Sequence, residues 1–280
     1  MEEDSVKIRK YSGELVDFDI EKLKRSLRKS KVTEALIEQI ANEIDGSLYE
    51  GMTTKQIYSA AYKMLKSNKS GCASLYKLKK AIMELGPSGF PFEKFVAAII
   101  EAEGFKTEVG VFVQGHCVMH EVDVVATNKV KQYMVECKYH NTQGRVNDVK
   151  IPLYIQSRFV DINTHYKHIN GHQALFQEGW VYTNTRFSSD AIDYGRCMGL
   201  KLVSWDYPKG KSLIDKIEQF KLYPITTLVS LSKNDKIKLL ESGVVLCKEL
   251  WANPDVLMEA HIDRKKHNQI LSNCHELCKV

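Results

Sequence analysis

The four residues Gly86-Pro87-Ser88-Gly89 divide the chain into two parts that have to fold differently. Two glycines and a proline within four positions end any regular helix or strand. Before this break, apolar residues recur at helical spacing; after it, one helical pattern leads into several β-type runs. A chain of 280 residues has room for more than one hydrophobic core. We therefore expect a domain boundary at this break.

The first part, residues 1–87, has the pattern of a β-hairpin followed by a bundle of helices. Residues 6–18 predict two short strands joined at Ser12-Gly13, and Asp19 is placed to cap a helix that runs to about Ser30. Three further helices are predicted over Val32–Tyr49, from Thr53 or Thr54 toward Leu65, and over Ala73–Leu85. We expect a small α+β domain.

The middle part, residues 88–222, alternates between helical and β-type patterns. A helix around Phe92–Ile100 ends at Gly104. The elements predicted after it are strands at Val109–Val113, His120–Thr127 and Gln132–Lys138, a helix near Ile151–Ile162, a strand at Trp180–Thr183, a helix at Asp190–Met198 and a strand at Lys201–Trp205. This order predicts an α/β domain around a mixed sheet.

The last part, residues 223–280, is predicted to be a small all-helical module. Its helices are expected at Ser232–Glu241, Cys247–Trp251 and Pro254–His261, followed by a polar tail. The segment 239–250 has a helix–turn–helix rhythm, and Arg264, Lys265 and Lys266 are available for backbone phosphates. A packing or oligomerisation role explains this module equally well.

Composition and charge exclude several classes of protein. No stretch approaches the ~20 apolar residues that span a bilayer, and the start MEEDSVKIRK lacks the apolar core of a signal peptide. We expect a cytoplasmic protein with no membrane partner. The net charge of +5 is too small for nucleic-acid binding by charge alone. Seven scattered cysteines argue against a disulfide framework, and Cys274 with Cys278 lacks the second pair of a zinc site.

The strongest chemical signal is Asp123 followed by Glu136-Cys137-Lys138. Each motif lies in a β-type run, so Glu136 and Lys138 share a face. Two converging carboxylates favour a hard divalent cation, Mg²⁺ or Mn²⁺, with the backbone carbonyl of Cys137 as a further ligand. Such an ion activates water for attack on a phosphodiester, while Lys138 orients the water or stabilises negative charge.

The alternative is that these residues are ordinary exposed charges forming a cross-strand pair, since E-x-K is a common sequence. Two observations weigh against it. The charges interrupt runs that look buried, 122–126 and 133–135, and a buried charge needs a partner. They also fall at the ends of the predicted strands, where functional sites are usually built.

From Phe92 to about Pro208, the chain resembles the Mrr-type catalytic domain of the PD-(D/E)xK restriction endonuclease-like class. The matching positions are Phe92-Glu93-Lys94-Phe95, Gly104-Phe105, Asp123, Glu136-Cys137-Lys138, Val181-Tyr182-Thr183-Asn184 and Phe187-Ser188-Ser189-Asp190-Ala191. The resemblance implies a restriction endonuclease-like mixed-sheet α/β/α core. It also implies metal-dependent hydrolysis of DNA, with Glu93 as an additional carboxylate near the metal and Gln156 as a polar residue beside the site.

Each of these assignments has a plainer alternative. Glu93 is equally explained as a solvent-facing helix residue that pairs with Lys94 or a more distant cation. Gln156 is explained at least as well as an ordinary half-exposed helix residue. His120 and His140 flank the motifs and are candidates for phosphate contacts or simply strand-end histidines. Three basic side chains are weaker candidates for phosphate contacts: Arg145, Lys150 and Arg158.

Residues 6–87 resemble the ATP-cone, the nucleotide-binding regulatory domain of ribonucleotide reductases and of a family of bacterial repressors. The matching positions are Ile8, Lys10, Gly13, Phe18, Asp19, Lys22 and Thr54-Lys55-Gln56-Ile57. Tyr11 and Ser12 replace the usual Arg-Asp, and Tyr58 stands where His is common. The resemblance implies ATP or dATP as an effector, with Lys10, Gly13, Lys22 and Thr54 as candidate contacts.

The residues themselves are compatible with this role. Lys10 and Lys22 can offer ammonium groups to phosphates, although exposed lysines on a small basic domain would look the same. No Walker-type G-x-x-x-x-G-K-[ST] motif occurs, so the nucleotide is expected to regulate rather than to be hydrolysed.

Together these patterns predict an enzyme: a nucleotide-regulated, divalent-metal-dependent DNA endonuclease that forms a homo-oligomer, a dimer or larger. A role in restriction or phage defence follows by family analogy alone. Three alternatives remain open. They are a nucleotide-sensing DNA-binding regulator that does not cleave, a structure-specific junction or repair nuclease, and an RNase.

Overall fold

The computed structural model describes residues 5–10, 12–30, 32–68, 70–129, 131–142 and 144–279. Tyr11, one of the departures from the ATP-cone pattern, lies outside these ranges. Within them, no helix has both the length and the apolar character needed to cross a membrane.

The N-terminal domain begins with the predicted hairpin. Strands β1 (Lys7–Arg9) and β2 (Leu15–Asp17) pair antiparallel, with Ile8 opposite Val16. Gly13 in the turn has φ +90°, a conformation that glycine adopts without steric cost. The carboxylate of Asp19 accepts a hydrogen bond of 3.2 Å from the backbone N–H of Lys22, which confirms it as the cap of the next helix.

Among the described residues of this domain, five helices follow the hairpin, where the sequence predicted four. They are α1 (Ile20–Arg28), α2 (Glu34–Asp45), α3 (Thr54–Asn68), α4 (Ser70–Tyr76) and α5 (Leu78–Met83). The predicted helix over Ala73–Leu85 is wrong in one respect, because it breaks at Lys77. The break has a packing cause. Ala73 on α4 belongs to the core of the N-terminal domain, whereas Leu78 and Ile82 on α5 pack into the core of the rest of the chain.

A five-stranded mixed sheet forms the centre of the next domain. Its strands, in spatial order, are β3 (Lys106–Gln114), β4 (Met119–Asn128), β5 (Lys131–Lys138), β7 (Phe176–Thr183) and β9 (Lys201–Val203). The first three pair antiparallel, and β5, β7 and β9 run parallel. The parallel pairs are joined through the helices α7 (Lys150–Ile169) and α8 (Ser189–Cys197).

Helices cover both faces of this sheet, as the side chains of adjacent strand residues show. Val124 and Val135 face the core that contains α6 (Phe90–Ala102). Their neighbours Val125 and Met134 face the core beneath α7 and α8. This alternation confirms the predicted α/β/α arrangement.

Three elements of this domain were not predicted. Two residues each form β6 (Val146–Asn147) and β8 (Arg186–Phe187), which pair parallel in a small separate sheet. Helix α9 (Leu213–Phe220) begins with a capping box made by Ser212 and Asp215. The strands β6 and β8 are too short to produce a periodic sequence signal.

The C-terminal part is helical, as predicted. It contains a 3₁₀ turn (Ile225–Thr227) and the helices α10 (Lys233–Glu241), α11 (Cys247–Ala252), α12 (Val256–Glu259) and α13 (Arg264–Cys278). These helices share one hydrophobic core with α5 and α6. The Thr226 hydroxyl donates to the carbonyl of Ala81 at 2.7 Å, and Lys236 pairs with Glu84 at 2.9 Å. The C-terminal module therefore packs against the junction between the first two domains.

Candidate active site

Asp123 and the E-x-K motif meet where strands β4 and β5 stop pairing. The antiparallel ladder between these strands reaches Val124 opposite Val135. Just beyond it, the backbone N–H of Cys137 donates to the Asp123 carboxylate at 2.6 Å. The side chain of Asp123 thus accepts a main-chain hydrogen bond just past the last ladder pair, and its position is set by the backbone of the neighbouring strand.

Glu136 is buried at this strand end and is held by two cations. One carboxylate oxygen accepts from the Lys138 ammonium at 3.0 Å, and the other accepts from the Arg158 guanidinium. The guanidinium also donates to the carbonyl of Glu121. Since Glu136 is only 3% exposed, these partners supply the compensation that a buried carboxylate requires.

Glu93 reaches the same site from the first turn of α6. Burial, together with the charges of Asp123, Glu121 and Glu136, raises the pKa of Glu93 to about 7. Burial and the charge of Glu136 raise the pKa of Asp123 to about 6, against the opposing effect of the Cys137 hydrogen bond. The carboxyl groups therefore repel one another, and Lys138 and Arg158 offset this repulsion only in part.

The donor atoms fit a hard divalent cation. Carboxylate oxygens of Asp123, Glu136 and Glu93, with the carbonyl of Cys137, are the ligand types that Mg²⁺ and Mn²⁺ prefer. A bound cation would relieve the repulsion that raises the pKa values of Glu93 and Asp123. In the described ranges, no three His, Cys, Asp or Glu side chains are arranged as a ready metal-binding group. Both carboxylate oxygens of Glu136 are paired with cationic side chains in this arrangement.

Helix α7 brings Tyr154 and Arg158 to this site, and the sequence did not predict either residue as part of the carboxyl cluster. The Tyr154 ring centre lies 5.5 Å from the Arg158 guanidinium carbon and 5.9 Å from the Lys138 ammonium. Arg158 was predicted as a weak phosphate contact, but it is only 8% exposed and is bound to Glu136. The four-residue spacing of Tyr154 and Arg158 on one helix was the available signal.

Gln156 lies on another face of α7. It lines a separate cavity with His116, Asp161 and Met198, among others, and its side-chain oxygen has no hydrogen-bond partner among the described residues. Two positions along a helix correspond to a rotation of about 200°. The structure thus separates Gln156 from Arg158 and from the carboxyl cluster.

The two candidate histidines have protein partners. His120 pairs with Asp161 at 2.7 Å, and this pairing holds the pKa of Asp161 well below its usual range. The His140 ring is hydrogen-bonded to Asn147 at 2.9 Å. Of the predicted basic phosphate contacts, Arg145 and Lys150 are exposed.

The candidate nucleotide contacts are not all brought together. Lys10 and Thr54 line a cavity of about 710 Å³ with Ser12. Gly13 forms the adjacent hairpin turn. Lys22, in contrast, is 74% exposed, pairs with Asp19 at 3.3 Å and does not line this cavity.

The candidate cations and thiols of the C-terminal part make contacts within the C-terminal module. Lys266 pairs with Asp235 at 3.0 Å, while Arg264 and Lys265 are exposed. The Cys274 thiol is buried, and the His275 ring stacks on Trp251 with ring centres 4.6 Å apart. These contacts agree with a packing role for α13.

Comparison with known proteins assigns each part of the chain to a class. Residues 86–207 match the restriction endonuclease family model Mrr_cat, and residues 6–82 match the ATP cone domain. Residues 223–278 match the AF1548-like C-terminal domain. The protein is therefore a restriction endonuclease-like domain joined to an ATP-cone, as the sequence predicted, with a characteristic helical domain at the end.

A sequence relative and a solved structure identify the family more closely. An uncharacterised protein of Archaeoglobus fulgidus is 34% identical over 183 residues, which are 65% of this chain and 99% of that protein. The crystal structure of the protein of unknown function AF1548 superimposes with a TM-score of 0.57 at 33% identity, covering 68% of this chain and 98% of that one. The chain belongs to the AF1548-like family.

Proposed function

We propose that this protein is a divalent-metal-dependent endonuclease that hydrolyses phosphodiester bonds in DNA and is regulated by an adenine nucleotide. One observation carries the proposal. Within a restriction endonuclease-like fold, the carboxyl groups of Glu93, Asp123 and Glu136 repel one another at a strand end that also holds Lys138. A purely structural ion pair would not require three carboxylates of like charge close to one another.

The metal would be held by Asp123, Glu136 and the backbone carbonyl of Cys137, with Glu93 at its outer side. Bound Mg²⁺ or Mn²⁺ supplies a polarised phosphoryl oxygen and a water of lowered pKa. The chain's own residues provide the remaining chemistry. Lys138 presents its ammonium group to the negative charge that develops on the phosphate. Arg158 is a positioning residue that fixes Glu136 through a buried ion pair.

Tyr154 lies beside Lys138 and is 56% exposed, so it offers an aromatic surface to solvent next to the site. An exposed aromatic ring next to an ammonium group is suited to a nucleic-acid strand, because it offers a stacking surface beside a phosphate contact. Since the net charge of the chain is modest, we infer that DNA is held by this local surface and by a second copy of the chain. Light scattering with and without ATP or dATP tests the oligomer.

The test is cleavage by the full chain of plasmid, linear duplex, branched DNA, single-stranded DNA and RNA, in Mg²⁺ or Mn²⁺. Glu136→Gln should lower the cleavage rate by at least about 100-fold, because it removes the charge and keeps the shape. Glu108→Gln, on an exposed position of β3, is the matched control and should cut normally. Cleavage that survives in Glu136→Gln contradicts the proposal. The preferred substrate separates a junction nuclease or an RNase from a general DNA endonuclease.

A second function is favoured by a specific contact. Lys138 and Arg158 each donate to one carboxylate oxygen of Glu136. The same two contacts would neutralise Glu136 in a DNA-binding regulator that does not cleave. DNA binding by folded wild-type protein, without cleavage of any of these substrates in either metal, would support that regulator. A role in restriction or phage defence rests on analogy with restriction enzymes, and comparing viral plating efficiency on cells carrying wild type or Glu136→Gln tests it.

A further inference from the structure

The cavity that contains Lys10 and Thr54 lies between two domains. The ATP-cone contributes Lys10, Ser12 and Thr54 to its wall. The opposite wall is formed by the nuclease domain, through Thr142, Gly144, Arg145 and Arg186. Its volume of about 710 Å³ lies within the range of roughly 300–1,000 Å³ that is usual for small-ligand sites.

The charge of this cavity suits a polyphosphate. Lys10, Arg145 and Arg186 line it, and none of the described lining residues is acidic. Lys10 also pairs with Glu14, and both of these side chains are exposed. Across the ranges that the structure describes, neither Arg145 nor Arg186 has a side-chain hydrogen bond or a salt bridge. Free guanidinium groups match phosphate oxygens in geometry and in charge.

We propose that the nucleotide site is shared between the domains, with the phosphates of ATP or dATP held by Lys10 of the ATP-cone and by Arg145 and Arg186 of the nuclease domain. This inference rests on the nucleotide binding included in the proposed function. Lys22, which pairs with Asp19 and does not line the cavity, has no part in this site. A shared site gives the nucleotide direct contact with the nuclease domain.

Both arginines sit in segments that are hydrogen-bonded to the end of the catalytic strand. Val146 is paired with Arg186 in the small β6–β8 sheet. The buried amide of Asn147 donates to the carbonyl of Arg186 at 3.2 Å and to the hydroxyl of Thr183 at 3.0 Å. Thr183 in turn donates to the carbonyl of Lys138 at 2.7 Å. A nucleotide that restrains the arginines therefore restrains the strand end that carries Glu136 and Lys138.

The experiment measures binding of ATP, dATP and inorganic tripolyphosphate to the full chain by calorimetry, in the absence of DNA. Arg145→Ala and Arg186→Ala are each expected to weaken ATP binding about tenfold, and the double variant further, because each removes charge-assisted hydrogen bonds. Tripolyphosphate should lose affinity by a similar factor. Arg196→Ala, an exposed arginine on α8 that pairs with Asp193, is the matched control and should bind as wild type does.

A second readout is hydrogen exchange of the peptide that contains Gly144–Asn147. ATP is expected to slow its exchange in wild type, and this effect should disappear in the double variant. Wild-type ATP affinity in the double variant, with affinity lost in Lys10→Ala, would overturn the inference and leave a nucleotide site made by the ATP-cone alone. Weakened DNA binding with unchanged ATP binding would overturn it in favour of a DNA-contact surface.

Absence of nucleotide binding in the wild type would overturn both this inference and the proposed regulation. The nucleotide-binding and hydrogen-exchange measurements contain no DNA, so their results do not depend on whether the carboxyl cluster cleaves phosphodiesters. DNA binding by the variants is measured separately.

Discussion

The backbone N–H of Cys137 donates a 2.6 Å hydrogen bond to the carboxylate of Asp123. This bond links two adjacent strands at the point where their main-chain pairing ends. It places Asp123 next to a residue whose chain neighbours are Glu136 and Lys138. The separation between the candidate metal ligands is therefore fixed by the sheet and not by flexible side chains.

Asp123→Asn should preserve this link and remove the charge. The amide oxygen can still accept from Cys137, so the fold and the thermal midpoint should change little. Metal affinity should fall by at least tenfold, because a carboxylate ligand is lost. Calorimetric titration with Mn²⁺, beside circular dichroism, measures both quantities. Asp193→Asn, on exposed α8, is the control; equal Mn²⁺ affinity in the two variants would remove Asp123 from the metal site.

Glu93→Gln should stabilise the protein at high pH when no metal is present. The pKa of Glu93 is raised from 4.5 to about 7. Between these values the folded chain holds a proton that the unfolded chain has lost, so stability contributed by this group falls as pH rises through the window. The variant's melting temperature should exceed that of wild type at pH 8, and the excess should shrink at pH 5. An excess that is the same at both pH values would contradict the repulsion between these carboxyl groups.

Metal binding should tighten as pH rises from about 5.5 to 8. Asp123, with its pKa raised to about 6, and Glu93, at about 7, must lose protons before they can bind a cation. Mn²⁺ titrations in buffers of different ionisation enthalpy should reveal proton release at pH 6 and much less at pH 8. Metal affinity that is independent of pH would show that these carboxyl groups are not ligands.

Arg158→Met should destabilise the fold by about 3–5 kcal/mol, since it leaves Glu136 buried with one cationic partner removed. Urea unfolding at neutral pH measures the change. Arg158→Met combined with Glu136→Gln should recover much of the loss, because the uncompensated charge is gone. Arg196→Met should cost less than about 0.5 kcal/mol at its exposed position. Similar small losses for both arginines would contradict the buried ion pair.

The central sheet was predictable because its strands carry a local signal. Valines at 122, 124 and 125 and the run 133–135 identify two strands. The E-x-K motif ends the second strand, whereas Asp123, expected at a strand end, lies inside β4 where its pairing with β5 stops. Antiparallel pairing of consecutive strands then brings Asp123 to Glu136 without further information. The resemblance supplied Glu93, which the residues alone could not have distinguished from a solvent-facing helix position.

The remaining parts of the site depended on tertiary packing. Whether Gln156 or Arg158 faces the carboxyl cluster is decided by which side of α7 packs on the sheet, with Ile155 and Ile162 buried there. In the sequence, Arg158 cannot be distinguished from an exposed phosphate contact, because its buried partner Glu136 is 22 residues away. The helix break at Lys77 also depends on tertiary packing, because the turns before and after it pack into different hydrophobic cores.

We propose above that Glu93, Asp123, Glu136 and Lys138 form a metal-dependent nuclease site. The most direct measurement is nicking of supercoiled plasmid in Mn²⁺ by wild type, Glu136→Gln and the control Glu108→Gln, purified identically. We expect wild type and Glu108→Gln to nick the plasmid, chelator to abolish the nicking, and Glu136→Gln to nick at least about 100-fold more slowly. Equal nicking by all three proteins would contradict this proposal, as would a folded wild type that binds Mn²⁺ and DNA but leaves the plasmid intact.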